Sequence, residues 1–253
     1  MFRDTGDYGD FGEMLTGFQA YNGNTYYLKQ TGAAGTKGKM FTGFQTIGEK
    51  TYYFKKTGTR GVKGMMFTGF KKIGGKFFYF VPEGEIGTRG VMLIGWRNIG
   101  GETYYFKQSG APGVRGYMFT GTCTISGVKY KFASDGRLTS LAAAAPKIYA
   151  WKKTADSTGS SAGGDGVEYT VSWSKVSGAA GYQVCFSSRD IDEELNGEPW
   201  HISYITTGQT LYKTQFSSYP THIKAKVRVF RQVGQKTVYG PWSSEVSKKC
   251  EWT

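Results

Sequence analysis

A methionine returns at a fixed interval along this chain: Met14, Met40, Met66, Met92 and Met118 are each 26 residues apart, with no insertion between them. A fixed period of this size marks an array of one supersecondary unit, which buries its apolar face only by stacking on its own copies. The opening thirteen residues fit the same register. Gly6, Gly9 and Gly12 align with Gly32, Gly35 and Gly38, so the array is expected to begin upstream of residue 1.

Each unit reads as a hairpin followed by a loop. In the second unit a short strand over 42–47 meets two turn residues, and a second strand runs over 51–55. The turn pairs are Asn22-Gly23, Gly48-Glu49, Gly74-Gly75, Gly100-Gly101 and Ser126-Gly127, mostly residues that accept the positive φ of tight hairpin turns. Glycines at every third position then follow, as in Gly58, Gly61 and Gly64. Three such triplets without proline are too few for a collagen helix, and no Gly-Lys-Ser/Thr follows to cradle a phosphate. An isolated hairpin is marginal in water, so the units must stack. The expectation is an all-β chain whose hairpins form a β-solenoid of 26-residue period.

Comparing the units position by position separates two faces, because alternate residues of a strand share one. One face reads Tyr26, Tyr52, Phe78, Tyr104, Tyr130 and Leu28, Phe54, Phe80, Phe106, Phe132, which suits a core. The other reads Tyr27, Tyr53, Tyr79 and Tyr105, then Lys131. In step with it, Phe18, Phe44, Phe70 and Trp96 give way to Thr122. Two aromatics lost together point to one shared surface. The pairs Phe18/Tyr27, Phe44/Tyr53, Phe70/Tyr79 and Trp96/Tyr105 suit sugar rings as stacking platforms and equally suit packing between repeats.

Charge adds a second pattern. The chain carries a net +13, and residues 1–138 hold 19 Lys+Arg against 9 Asp+Glu. Lys37, Lys63, Arg89 and Arg115 recur at one position, a row that reads as a solvated face or as a partner for an anionic polymer. No recognised nucleic-acid module accompanies it, and no apolar run is long enough to cross a bilayer, so nucleic acid and a membrane span are not expected.

"TGFQTIGEKTYYF" and "IGWRNIGGETYYF" resemble the cell-wall-binding repeats of Gram-positive surface proteins, a group that includes choline-binding, glucan-binding and toxin receptor-binding repeats. The resemblance covers residues 1–138. It implies stacked hairpins whose aromatics form shallow sites for choline on teichoic acid or for glycans. The family's choline cage uses a Trp after the Gly and a second just before the Tyr pair. This chain has Phe44 and Thr51 there, and only Trp96 keeps the first, a pattern closer to the glucan-binding and toxin-type variants. The ligand-binding residues implied are the four aromatic pairs with Lys37, Lys63, Arg89 and Arg115.

After Leu138 the glycine period stops, and "TSLAAAAPK" reads as a connector, with residues 139–145 the linker. Residues 146–253 hold short strands with alternating apolar residues such as Val171/Trp173, Tyr182/Val184/Phe186 and Val227/Val229. The words "VSWSKVSGAAGYQVCFS" and "VRVFRQVGQKTVYGPWS" resemble a fibronectin type III domain, an immunoglobulin-like β-sandwich, with Trp173 its core tryptophan. The family's tyrosine corner falls on Ile223. That fold also implies that Cys185, facing outward, and Cys250 lie on strands separated by a third, too far apart to bridge. Free thiols are the expectation.

Nothing in the sequence assembles a catalytic site. His201 and His222 both lie beyond the repeats, Glu83 and Glu85 lack counterparts in other units, and no metal-ligand spacing appears. The run Asp190, Asp192, Glu193, Glu194 reads as a solvated loop rather than a calcium site, and Asp4, Asp7, Asp10 are no better a calcium site. The sequence-level expectation is a non-catalytic surface-binding fragment that needs no cofactor. It would be secreted and associated with the cell wall, holding a cell-wall polymer or polysaccharide, with host surface glycans or proteins as further partners. Two alternatives are a protein-binding adhesin and the targeting region of an enzyme whose catalytic domain is missing.

Overall fold

The structure, a computed structural model, describes residues 14–33, 35–84, 88–157, 166–217 and 220–250. The glycine register of residues 6–12, Asp4, Asp7, Asp10 and Glu85 lie outside them. The described residues are all-β apart from one six-residue helix, and the contact map divides the chain into compact units at 1–119 and 120–253.

The first unit holds four hairpins: β1 (Gly17–Tyr21) with β2 (Asn24–Leu28), β3 (Gly43–Ile47) with β4 (Lys50–Phe54), β5 (Gly69–Ile73) with β6 (Lys76–Phe80), and β7 (Gly95–Ile99) with β8 (Glu102–Phe106). Each is a separate two-stranded sheet turning at the expected residue pair, where Gly48 has φ +60° and Asn22 +47°. After each hairpin the glycine loop folds back on itself. The Lys55 amide donates to the Met65 carbonyl at 2.9 Å and the Gly64 amide to the Lys55 carbonyl at 2.8 Å. The chain then runs alongside the hairpin it has left, the Phe67 amide donating to the Tyr53 carbonyl at 2.9 Å.

The recurring methionine is where units interlock. Met66 bridges Phe54 of the hairpin before it, and its amide reaches one hairpin further back to the Thr25 carbonyl at 2.8 Å. Met92 repeats this to Thr51 and Met118 to Phe77, both at 2.7 Å. Its side chain meanwhile rests on a glycine 24 residues downstream. A Cβ on Gly116 would stand 2.4 Å from Met92 Sδ, at a φ of +84°. Both the space and the backbone require glycine there.

The expected core layer is buried: Tyr52 and Phe78 are 1% exposed, and Phe54, Phe80 and Phe106 are fully covered. On the opposite face the tyrosines follow the packing alternative. Tyr27, Tyr53 and Tyr105 are buried too, and each core cluster mixes units. Tyr27 packs with Tyr52, Phe54 and Met66, and Tyr53 with Phe78, Phe80 and Met92. Alternation assigns a residue to a face; it says nothing of what the next unit lays over that face.

The second unit opens with β9 (Gly121–Ile125), β10 (Val128–Phe132) and β11 (Leu138–Leu141) in one three-stranded sheet. Two further sheets follow. One joins β12 (Ile148–Ser157), β13 (Gly166–Trp173) and β16 (Leu211–Ser217); the other joins β14 (Gly181–Arg189), β15 (His201–Thr207), β17 (His222–Val233), β18 (Lys236–Tyr239) and β19 (Val246–Lys249). Rings from both sheets meet between them, as in Phe186 with Trp151, Tyr212 and Phe216 and Trp173 with Tyr182. Trp173, Val171, Val184, Val227 and Val229 are all fully buried.

Strand β17 separates β14 from β19, and Cys123, Cys185 and Cys250 are free. Cys185 alternates away from Val184 and Phe186, yet it is buried, so the outward placement expected for it does not expose the thiol. Cys250 accepts a hydrogen bond from the Tyr169 hydroxyl at 3.4 Å, and burial raises its thiol pKa.

The acidic run is not a loop: it forms the helix α1 (Ile191–Asn196). The Asp190 side chain accepts from the Glu193 amide at 2.9 Å, and the Glu193 carboxylate accepts from the Asp190 amide at 3.0 Å, a reciprocal cap. Gly197 ends the helix at φ 72°. Asp190→Ala is expected to cost about 1 kcal/mol in a denaturant melt, the usual loss of a good N-cap. The Asp190 amide, then His201, hold the Glu193 carboxyl below the ordinary Glu range. Its contribution is therefore present above that range and fades as pH falls through the lowered value.

Candidate functional site

The hairpin register sets the aromatic pairs directly opposite one another: Phe18 with Tyr27, Phe44 with Tyr53, Phe70 with Tyr79 and Trp96 with Tyr105. Their ring centroids lie 4.8, 4.8, 4.6 and 4.8 Å apart in edge-to-face geometry, within the favoured range for aromatic pairs. A third ring comes from the following hairpin. Tyr52 stands 5.3 Å from Phe18, Phe78 stands 5.2 Å from Phe44, and Tyr104 stands 5.4 Å from Phe70. Each trio is thus built by two units.

Within a trio the members differ in access. The tyrosines of the first, second and fourth pairs are buried, while Phe18, Phe44 and Trp96 are half-buried and Phe70 is 40% exposed. The tyrosine is held in place at its polar end as well. The Tyr27 hydroxyl donates to Gln30 Oε1 at 2.8 Å and the Tyr105 hydroxyl to Gln108 Oε1 at 3.0 Å. The more open ring of each pair is therefore the first-strand aromatic, with the tyrosine beside it.

The basic row does not act as one surface. Lys37, Lys63 and Arg89 are exposed. Arg115 is fastened instead, its Nη2 donating at 2.7 Å to Oγ1 of Thr51, a buried residue two units back. The same loop touches Phe44, for a Cβ on Gly113 would lie 3.0 Å from that ring. A loop residue of one unit thus sits beside the aromatic pair of the unit two before it. Sequence spacing alone, 64 residues in this case, gave no signal of that.

His201 and His222 each meet a carboxylate of α1, Glu193 and Glu194 respectively, the latter at 3.0 Å. Among the described residues no three His, Cys, Asp or Glu side chains gather in a metal-holding group, and no helix is long and apolar enough to cross a membrane.

An all-β chain of stacked hairpins with an aromatic pair in each defines a class of repeat, and comparison with known proteins agrees. Residues 16–34, 42–59, 68–85 and 94–111 match the choline-binding family model described as a cell wall binding repeat. The four matched segments coincide with the four described hairpins of the first unit. A search of curated proteins finds no match. Among solved structures, CbpF in complex with ipratropium is 32% identical, over 51% of this chain and 34% of that one, with a TM-score of 0.39. CbpJ from Streptococcus pneumoniae is 22% identical over 56% of this chain and 49% of its own, with a TM-score of 0.26. The pneumococcal cell wall endolysin of phage Cp-1, complexed with choline, is 22% identical over 51% of this chain and 32% of its own, at 0.30. The matched region thus spans from a third to a half of those structures.

Proposed function

We propose that residues 1–138 form a solenoid that binds a cell-wall polymer or polysaccharide at the cell surface without acting on it chemically. Of the expected linker 139–145, residues up to Leu141 belong to β11, and the remainder leads in this reading to an immunoglobulin-like fibronectin type III spacer over 146–253. The observation that carries the binding reading is the recurrence of the aromatic trio, with a half-open first-strand ring in each pair. Ring faces of this kind suit sugar rings or a quaternary ammonium. Several weak and similar sites along one array hold a polymer far more tightly than its monomer, because later contacts form at high effective concentration.

The test is sedimentation of the protein with purified Gram-positive cell walls. A variant with Phe18, Phe44, Phe70 and Trp96 all changed to alanine is expected to stay in the supernatant while keeping its β-type circular dichroism. Full binding by that variant would remove the trios from recognition. Salt separates the polymer types. Raising ionic strength from 0.01 to 1 M shortens the screening length from about 30 to about 3 Å. Binding to an anionic polymer should fall accordingly, and binding to a neutral glucan should not. Incubation with walls or glucan should release no sugar above background.

A second reading, protein recognition, draws on the five-stranded sheet. There Lys224 lies 4.1 Å from the Trp200 ring and Arg228 lies 4.3 Å from Trp242, beside Ile202 and Tyr204, which are 58% and 59% exposed. Aromatic residues and arginine are enriched at protein interfaces.

A further inference from the structure

A cavity of about 130 Å³ opens in the hairpin stack where three distant segments meet: the turn of the first hairpin, the approach to the third, and the loop after the third. One water needs only about 10–15 Å³, so there is room for a larger guest. The polar lining is one-sided. Lys71 and Arg89 bring two cations, Thr25 and Thr68 two hydroxyls, and Asn24 an amide, with no carboxylate among them. Among the described residues neither cation has an ion-pair partner. The apolar side is Met65, Met66 and Phe67, of which Met66 is buried at 8% exposure.

The next unit shows what the same place looks like when the chain fills it. There Thr51 stands for Thr25 and Arg115 for Arg89, and the arginine donates directly to the threonine hydroxyl at 2.7 Å. Ile94 replaces Thr68, and Arg97, in place of Lys71, turns to the Trp96 carbonyl at 2.8 Å. The cationic groups are spent on the protein itself. At the earlier position Lys71 lies 5.9 Å from the Phe67 ring, and among the described residues Arg89 has no such bond to Thr25.

We propose that this cavity is an anion site that takes a phosphate group, whether free or carried as a diester in a polymer. Residues bearing a guanidinium, an ammonium and two hydroxyls line it from separate segments, which suits the several acceptor oxygens of a tetrahedral anion better than the two of a planar carboxylate. The site goes beyond the aromatic trios and does not require them to bind anything.

Calorimetric titration of the full chain at low salt, in phosphate-free buffer, tests this with inorganic phosphate, dimethyl phosphate and acetate as probes. Saturable binding of inorganic phosphate or dimethyl phosphate is expected, and whichever binds more tightly identifies the free or the diester source. Arg89→Gln and Lys71→Gln should each weaken binding by about tenfold or more, the scale of a lost charged hydrogen bond. Arg115→Gln should leave it unchanged, and thermal melts of all three variants establish that they fold. Absence of saturable binding by both phosphates overturns the proposal, as does wild-type affinity in Arg89→Gln. Acetate bound as tightly as phosphate overturns the assignment to phosphate. No wall polymer is present, so these outcomes are independent of whether the chain sediments with cell walls.

Discussion

Replacing Phe54 with alanine should cost the repeat array about 3–5 kcal/mol, the usual range for truncating a fully buried aromatic. Phe54 has no exposed surface, and its cluster contains Tyr27 from the unit before and Met66 from the unit after. The void left behind is walled by three units, each held by its own hairpin, so none can collapse into it without giving up backbone bonds. Tyr53→Ala should be of similar cost, since Tyr53 is packed with Phe78, Phe80 and Met92. Phe44→Ala, at a half-open position, should cost clearly less. Chemical denaturation followed by circular dichroism reads all three. A loss below about 1 kcal/mol for Phe54→Ala would mean that the units do not share their cores.

Gly116→Ala is the second severe change, although it adds only one methyl. An L-residue in the left-handed region costs about 1–2 kcal/mol, and Gly116 sits at φ +84°. The new Cβ would also stand 2.4 Å from Met92 Sδ, inside any real contact distance. Thioethers are adaptable, but Met92 is 5% exposed and locked against Tyr53, Phe78 and Phe80, so its displacement adds an overpacking cost of about 1–3 kcal/mol. Pairing the change with Met92→Ala separates the two terms. The steric part should vanish in the double variant and the backbone part should remain. If the double variant is no better than the sum of the singles, the methionine is not what excludes a side chain at 116.

Much of the array was legible before any coordinates. The hairpin turns fall at the residue pairs that tolerate positive φ, and the Tyr52–Phe54 layer is buried as its persistence through the repeats implied. The four aromatic pairs form across the strands in register, because two-residue turns leave only one alignment. What lies over the second face was not legible, since that depends on the next unit's approach and not on alternation. Arg115 reaching Thr51 belongs to the same kind: a side-chain contact between units two apart leaves no mark in local pattern. The cap on α1 is a different matter. Asp190 followed three residues later by Glu193 is a readable helix start signal, while Asp192 and Glu194 of the same run do face solvent.

The backward reach of each methionine amide sets how such an array can assemble. Met66 to Thr25, Met92 to Thr51 and Met118 to Phe77 all close over the same 41-residue interval. Every tie looks back over recently laid chain, and none waits for a distant end. Folding by zippering, one unit docking on the two already formed, is therefore open to this chain while it is still being synthesised. Because the interval is the same at each step, a gene that gains or loses a unit changes the length of the ladder and leaves its joints untouched.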